Sequence, residues 1–203
     1  MTTERPTGAP PESTAPATLI RLDPRGLKVL AHPLRSRLLT ALRSGGPATA
    51  TALAEALGTN TGATSYHLRK LASVGLVEET GQGRGRERWW RAATEMHSWT
   101  ERDVAGDPDA EAATDWLRRH YLRYFLDGYQ AWLDVQGSWP LDWRDVAGAS
   151  DYALRISPAR LADFQAEFEA LFERYREMGP DELGDERIVQ VYLYAFPLPT
   201  TTP

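Results

Sequence analysis

Thr61, Gly62, Ser65, Tyr66 and Arg69 fall on one face when their segment is wound as a helix, and each is small, hydroxyl-bearing or cationic. That set suits a duplex reader, which needs a helix that fits the major groove, short polar side chains toward the base edges and cations beside the phosphates. Arg69 is the one side chain of the five able to bond guanine in a bidentate way. Ser65 and Thr61 can serve bases or phosphates, and the neighbouring Lys70 can serve a phosphate. A second basic group follows: Arg84, Arg86 and Arg88 lie in or beside the glycine-punctuated stretch Gly81-Gln82-Gly83-Arg84-Gly85-Arg86, where they could reach an adjacent minor groove or backbone. Tyr66 can equally pack on a neighbouring helix, and His67 reads as a packing residue rather than a base contact.

Other chemistries find less support. The chain has no Cys, which removes disulfides, thiolate metal sites and cysteine nucleophiles and fits a reducing, cytoplasmic setting. His97, Asp115, His120 and Asp127 carry metal-ligating atoms, but Asp115, His120 and Asp127 are not spaced to share one helix face, so no metal is expected. Gly81 to Gly85 lacks the third glycine of a dinucleotide fingerprint and stands between strands instead of before a helix. Asp163, Glu167, Glu169, Glu173 and Glu177 read as the wet face of a helix. No nucleophile elbow or zinc-binding histidine pair appears, so neither an enzyme nor a cofactor is expected.

The elements that must hold the basic groups can be read from spacing and punctuation. Pro24 to Ala31 forms a first helical pattern. A second begins at Pro33, carries Leu34, Leu38, Leu39 and Leu42 at helical spacing, and stops at Gly45-Gly46-Pro47. Thr49 can cap a short helix with Ala50, Leu53, Ala54 and Leu57 on one stripe. Asn60 can cap a helix from Thr61 to Val74 that turns Thr64, Leu68 and Leu71 inward, with Gly75 as its left-handed closing residue and Leu76 as the accompanying apolar contact. Leu76 to Thr80 and Glu87 to Ala92 read as a hairpin, in which Trp89 and Trp90 must point to opposite faces.

Beyond Ala93 the character changes. A long helix is expected from Asp109 to Val135, with Leu117, Tyr121, Tyr124, Gly128, Ala131 and Val135 on a pairing seam. A strand at Tyr152 to Ile156, a helix from Pro158 to Met178 capped by Ser157, and a strand at Ile188 to Phe196 follow. The aromatic set Trp116, Tyr121, Tyr124, Phe125, Tyr129 and Trp132, continued by Trp139 and Trp143, can line an apolar small-molecule pocket or form dimer core; the sequence leaves both open.

Charge divides the chain the same way. The net charge is −5. Residues 19–93 hold twelve Lys or Arg against five Asp or Glu, a balance of +7, whereas residues 94–203 hold ten against twenty-one, or −11. Only the first part is therefore expected to meet a polyanion. Residues 1–18, rich in Pro, Thr, Ala and Ser, have little to bury and are read as a disordered tail. Without an 18-residue apolar run or a secretory leader, the chain is expected to be soluble and to have no membrane partner.

Residues 26–93 resemble the winged helix-turn-helix domain of the ArsR-like bacterial transcription regulators. The resemblance is carried by His32-Pro33-Leu34-Arg35, Leu53-Ala54-Glu55, Ser65-Tyr66-His67-Leu68 with Leu71, and Gly75-Leu76-Val77. It implies a homodimer on a pseudo-twofold double-stranded DNA operator, with repression often relieved by an effector. The departure is Leu53-Ala54-Glu55-Ala56-Leu57, where thiolate metal sensors carry cysteine. The expected architecture is α+β: a disordered tail over 1–18, a winged helix-turn-helix DNA-binding domain over 19–93, and a dimerisation and effector-binding part over 94–203 with the long helix and a strand-helix-strand unit. The expected function is a dimeric sequence-specific regulator, a repressor relieved by an apolar small molecule. The alternative is a winged-helix protein-interaction module without its own operator.

Overall fold

The structure, a computed structural model, describes residues 19–81, 88–178 and 186–198. The tail read at 1–18 and the hairpin-tip residues Arg84 and Arg86 lie outside the described residues. The chain divides into two compact units, Met1–Thr114 and Asp115–Pro203.

The first unit opens with β1 (Leu19–Arg21) and α1 (Pro24–Leu30), whose first free N–H groups are met by Asp23: its carboxylate accepts from the Gly26 N–H at 2.7 Å. Proline also begins α2 (Pro33–Gly45), and there the cap is an imidazole, with His32 Nδ1 accepting from the Leu34 N–H at 3.1 Å. After β2 (Ala48–Thr49) come α3 (Ala50–Ala56), capped by Thr49, and α4 (Thr61–Ala72), capped by Asn60 Oδ1, which accepts from the Ala63 N–H at 2.8 Å. The end of α4 follows the expected closure. Gly75 takes φ +73°, and the Leu76 N–H reaches back to the Leu71 carbonyl at 3.1 Å.

β3 (Val77–Glu79) and β4 (Trp89–Ala92) then pair antiparallel, with Val77 opposite Ala92 and Glu79 opposite Trp90. β2 completes this sheet on the other edge of β4, in the order β2-β4-β3. The two tryptophans split as the strand period requires: Trp90 is buried and Trp89 half-buried. A second, two-stranded sheet joins β1 to β5 (Met96–Ser98) in parallel, with Leu19, Ile20 and Arg21 opposite Met96, His97 and Ser98. α5 (Glu101–Val104) follows. The core is continuous through α1, α2 and α4: Leu27, Leu30, Leu38, Leu68, Leu71 and Leu76 show no exposure, each contributing about 1.5–3 kcal/mol by burial.

The long helix α6 (Pro108–Val135) begins in the first unit, where Ala110, Ala113 and Thr114 are buried, and continues into the second. A 3₁₀ turn (Gln136–Ser138), α7 (Leu141–Val146) and α8 (Pro158–Arg176) complete the elements of the second unit. α8 has the expected cap, with Ser157 Oγ accepting from the Arg160 N–H.

The α+β winged-helix architecture holds, but the strand-helix-strand order expected after it does not appear among the described residues. Tyr152 to Ile156 and Ile188 to Phe196 carry no ladder pairing. Alternating apolar residues suit a pleated surface, yet a strand also needs a neighbour for its N–H and C=O groups. Among the described residues neither segment has one, and Tyr152, Ile188 and Val189 stay exposed.

Candidate nucleic-acid interface

The helical period of α4 separates its residues into two surfaces. Thr64, Leu68 and Leu71 are fully buried and anchor the helix to the domain. On the opposite side Thr61, Gly62, Tyr66, Arg69 and Lys70 are exposed, with Tyr66 at 50%, and Ser65 is half-buried beside them. The polar residues singled out on this helix thus form one outward face, held by an apolar inner one.

The cations of the first unit differ in how they are neutralised. Arg21 bonds Asp103 at 2.8 Å, Lys28 bonds Asp107 at 2.9 Å, Arg88 bonds Glu79 and Arg91 bonds Glu78 at 2.7 Å. Arg35 and Arg37 donate to backbone carbonyls, of Val29 and Leu57 respectively. Arg69 and Lys70 have no acidic partner among the described residues. The Lys70 ammonium instead lies 5.7 Å from the centre of the Tyr66 ring, a cation–π contact that orients both side chains outward. Arg88, counted with the wing cations, is already engaged by Glu79.

A concavity of about 310 Å³ opens on the same surface, lined by Tyr66, Arg69, Lys70 and Ser73 of the α4 end and by Arg25 of α1. Arg25 and Ser73 were not legible as members of this surface. Nothing near Arg25 in the sequence marks it, because its place is set by the packing of α1 on α4, 40 residues downstream.

Behind this face lies an imidazole pair. The His67 ring centre sits 4.5 Å from that of His32, the cap of α2, and burial followed by the neighbouring positive groups holds both side chains below the ordinary histidine range. His67 is half-buried, packed against His32. Its Nδ1 and the Thr64 hydroxyl are buried without a hydrogen-bond partner among the described residues. Farther back, Arg43 of α2 clamps the segment before β5, donating from Nε to the Thr94 carbonyl at 3.0 Å and approaching His97 Nδ1 at 2.9 Å. Burial, then Arg43, pushes His97 down to about 3. His97 therefore stays neutral and serves as acceptor.

In the second unit the aromatic set separates into groups. Trp116 stacks on His120 at 4.7 Å, one turn along α6. Phe125 stacks on Tyr129 and also meets Tyr192 at 4.9 Å and Tyr194 at 5.5 Å. Trp132 meets Trp139, which meets Trp143. Tyr121 contributes its carbonyl, which accepts from the Tyr194 hydroxyl at 3.2 Å, and Tyr124 is exposed. Tyr192 and Tyr194 escaped the sequence reading although they alternate on one side of residues 188–196. Val189, Val191 and Leu193 are exposed, as are Tyr194 and Phe196. Burial, then the nearby Tyr124 and Tyr194, pushes the Tyr192 hydroxyl up to about 12. Among the described residues no group of three or more His, Asp or Glu is placed to hold a metal ion, and no helix is long and apolar enough to cross a membrane.

Two short helices, the second capped and polar on its outer side, followed by a β-hairpin packed on the same core, define a winged helix-turn-helix protein. Residues 30–80 match the family model described as a helix-turn-helix domain. A homodimeric winged helix-turn-helix DNA-binding domain from Mycobacterium bovis, described as a possible ArsR-family transcriptional regulator, is 35% identical; the match covers 35% of this chain and 63% of that one, with a TM-score of 0.31. A crystal structure of a possible transcriptional regulatory protein from the same organism is also 35% identical, over 35% of this chain and 73% of that one, with a TM-score of 0.32. A possible transcriptional regulator for arsenical resistance is 30% identical over 53% of this chain and 84% of that one, with a TM-score of 0.30. No curated protein matches the sequence. Residues 30–80 thus carry a domain of the helix-turn-helix family, and over the matched segments the chain is similar in sequence to proteins described as possible transcriptional regulators.

Proposed function

We propose that the chain is a homodimeric, sequence-specific duplex-DNA-binding regulator, acting as a repressor, whose second unit joins two copies and receives an apolar small molecule. The observation that carries this reading is the outer face of α4: Thr61, Gly62, Ser65 and Tyr66 are presented outward on a helix seated by Thr64, Leu68 and Leu71, with Arg69 and Lys70 not neutralised by any described carboxylate. Arg69 is assigned to a guanine edge, Thr61 and Ser65 to bases or phosphates, and Lys70 to a phosphate. Arg84 and Arg86, with Arg88, are assigned to backbone contacts from the wing.

Dimerisation is supported by the second unit, where Leu122, Leu126 and Leu133 of α6 are exposed along one stripe and Val189, Val191 and Leu193 stand open. A twofold pair would place two copies of α4 one duplex turn apart, roughly 34 Å, and an effector would act by changing that separation. The rings of Phe125, Tyr129 and Trp132 are the proposed effector contacts, since they share a stripe of α6 and have polar-tipped neighbours in Tyr192 and Tyr194.

The test is selection of bound fragments from genomic DNA by the full chain, then titration of the recovered site. Arg69→Ala should weaken that site by about 1–3 kcal/mol while changing affinity for random-sequence duplex far less. Equal losses on both would make Arg69 a backbone contact, and failure to recover any fragment would favour a protein-interaction module.

A further inference from the structure

Of the three cations around the concavity beside α4, Arg25 alone has no part in the proposed DNA contacts. Arg25 stands on α1, outside the helix-turn-helix and outside the wing, yet it forms a wall of the same depression as Tyr66, Arg69, Lys70 and Ser73. It is exposed and, like Arg69 and Lys70, has no hydrogen-bonded or ion-paired partner among the described residues. The lining holds three cations and no carboxylate.

That arrangement differs from the rest of the unit, where Arg21, Lys28, Arg88 and Arg91 each sit 2.7–2.9 Å from an acid. Gathering three like charges in one depression is unfavourable unless an anion offsets them. Of the two hydroxyls in the lining, Ser73 Oγ gives its proton to the Lys70 carbonyl at 2.7 Å, which leaves the three cations and the Tyr66 hydroxyl as donors, a set that suits an anionic guest. The wall carrying Arg25 is also fixed. Leu27 and Leu30 of α1 are fully buried, and a Cβ at Gly26 would come within 3.1 Å of Leu22 Cδ2, tight seating that holds the helix against its neighbours. The backbone that presents Arg25 is therefore already placed, and only its side chain must be ordered on binding.

We infer that this depression receives a phosphate of the duplex backbone at the edge of the groove that α4 enters, with Arg25 and Lys70 holding it from two elements. The inference rests on the proposed DNA-binding function and adds to it a contact that reads no sequence. Arg25 then sets the depth and angle at which α4 docks, because its phosphate contact is anchored through α1 and does not depend on the recognition helix alone.

The experiment is a salt titration of the full chain on random-sequence duplex DNA. Relative to the unsubstituted protein, Arg25→Ala should weaken binding roughly fivefold to tenfold near 0.1 M salt and lower the slope of log affinity against log salt by about one, whereas Arg25→Lys should keep the slope. Because Arg25 is exposed, the thermal transition should not move, which separates a lost contact from a lost fold. An unchanged slope in Arg25→Ala, with the unsubstituted chain binding normally, would overturn the role of Arg25 and leave the DNA-binding reading intact. An unsubstituted chain that binds no duplex would instead overturn that reading. Titration with inorganic phosphate alone should give no binding below millimolar concentration; tighter binding would make the depression an ion site and would also overturn the assignment.

Discussion

The two units of this chain use similar amounts of apolar sequence in opposite ways. In the first, leucines of α1, α2 and α4 meet in a closed core with no exposure. In the second, Leu117 is the one buried residue among those described after Thr114, while Leu122, Leu126, Leu133 and most of the apolar residues between 188 and 198 remain open. Exposed apolar surface of that extent is unusual for a monomeric domain and is what the proposed dimerisation would cover. The contrast teaches that apolar content alone does not locate a core: the first unit buries most of its leucines within one chain, whereas the second leaves most of its described apolar residues open.

Paired substitutions sharpen this contrast most strongly. Leu68→Ala should cost about 2–5 kcal/mol in denaturant unfolding, because it opens a cavity under the recognition helix. Leu126→Ala, 52% exposed, should leave the unfolding of a dilute single copy nearly unchanged and weaken self-association in sedimentation equilibrium. Equal effects of the two on folding would erase the distinction between the units.

The histidines offer a second contrast. His97 is held near 3 by burial and then by Arg43, below its unfolded value near 6.5. The stability it contributes is therefore complete above pH 6.5 and is lost as pH falls toward 3, with a slope of up to roughly 1.4 kcal/mol per pH unit. His97→Asn, which can keep an acceptor toward Arg43 without titrating, should flatten that acid limb. His120, on α6 of the second unit, is lowered by burial and then by Arg123, and replacing it should alter the limb less. A flat profile in the unsubstituted chain would remove the His97 contribution.

Helix caps give the smallest effect. Asn60→Ala removes the 2.8 Å bond that starts α4 and should cost about 1 kcal/mol, while Ser157→Ala removes a longer 3.3 Å bond from an open helix and should cost less. Thermal melts of the two variants measure the difference.

What could be read in the sequence was local. Asn60, Gly75 and Leu76 announce the ends of α4 because caps depend on a few adjacent residues, and the inward set Thr64, Leu68 and Leu71 follows from the helical period. The parallel pairing of β1 with β5 and the two-residue β2 were not legible, since three or fewer residues carry no usable alternation and their partners lie far along the chain. The same limit hid Arg25. In the second unit the alternation of Ile188 to Phe196 was real, but alternation reports which side chains share a side and says nothing about whether a neighbouring strand exists. Tyr192 and Tyr194 use that periodicity to reach Phe125 without joining a sheet.

The β1–β5 pairing has a consequence for how the molecule is made. Ile20 cannot find His97 until every residue between them has been synthesised, so the seam is a long-range contact that the local helices of the domain can precede. A chain trimmed past Arg21 would forfeit that stitch together with the Arg21–Asp103 tie. Its helices should still assemble, leaving a domain that is folded in the middle and frayed at the join.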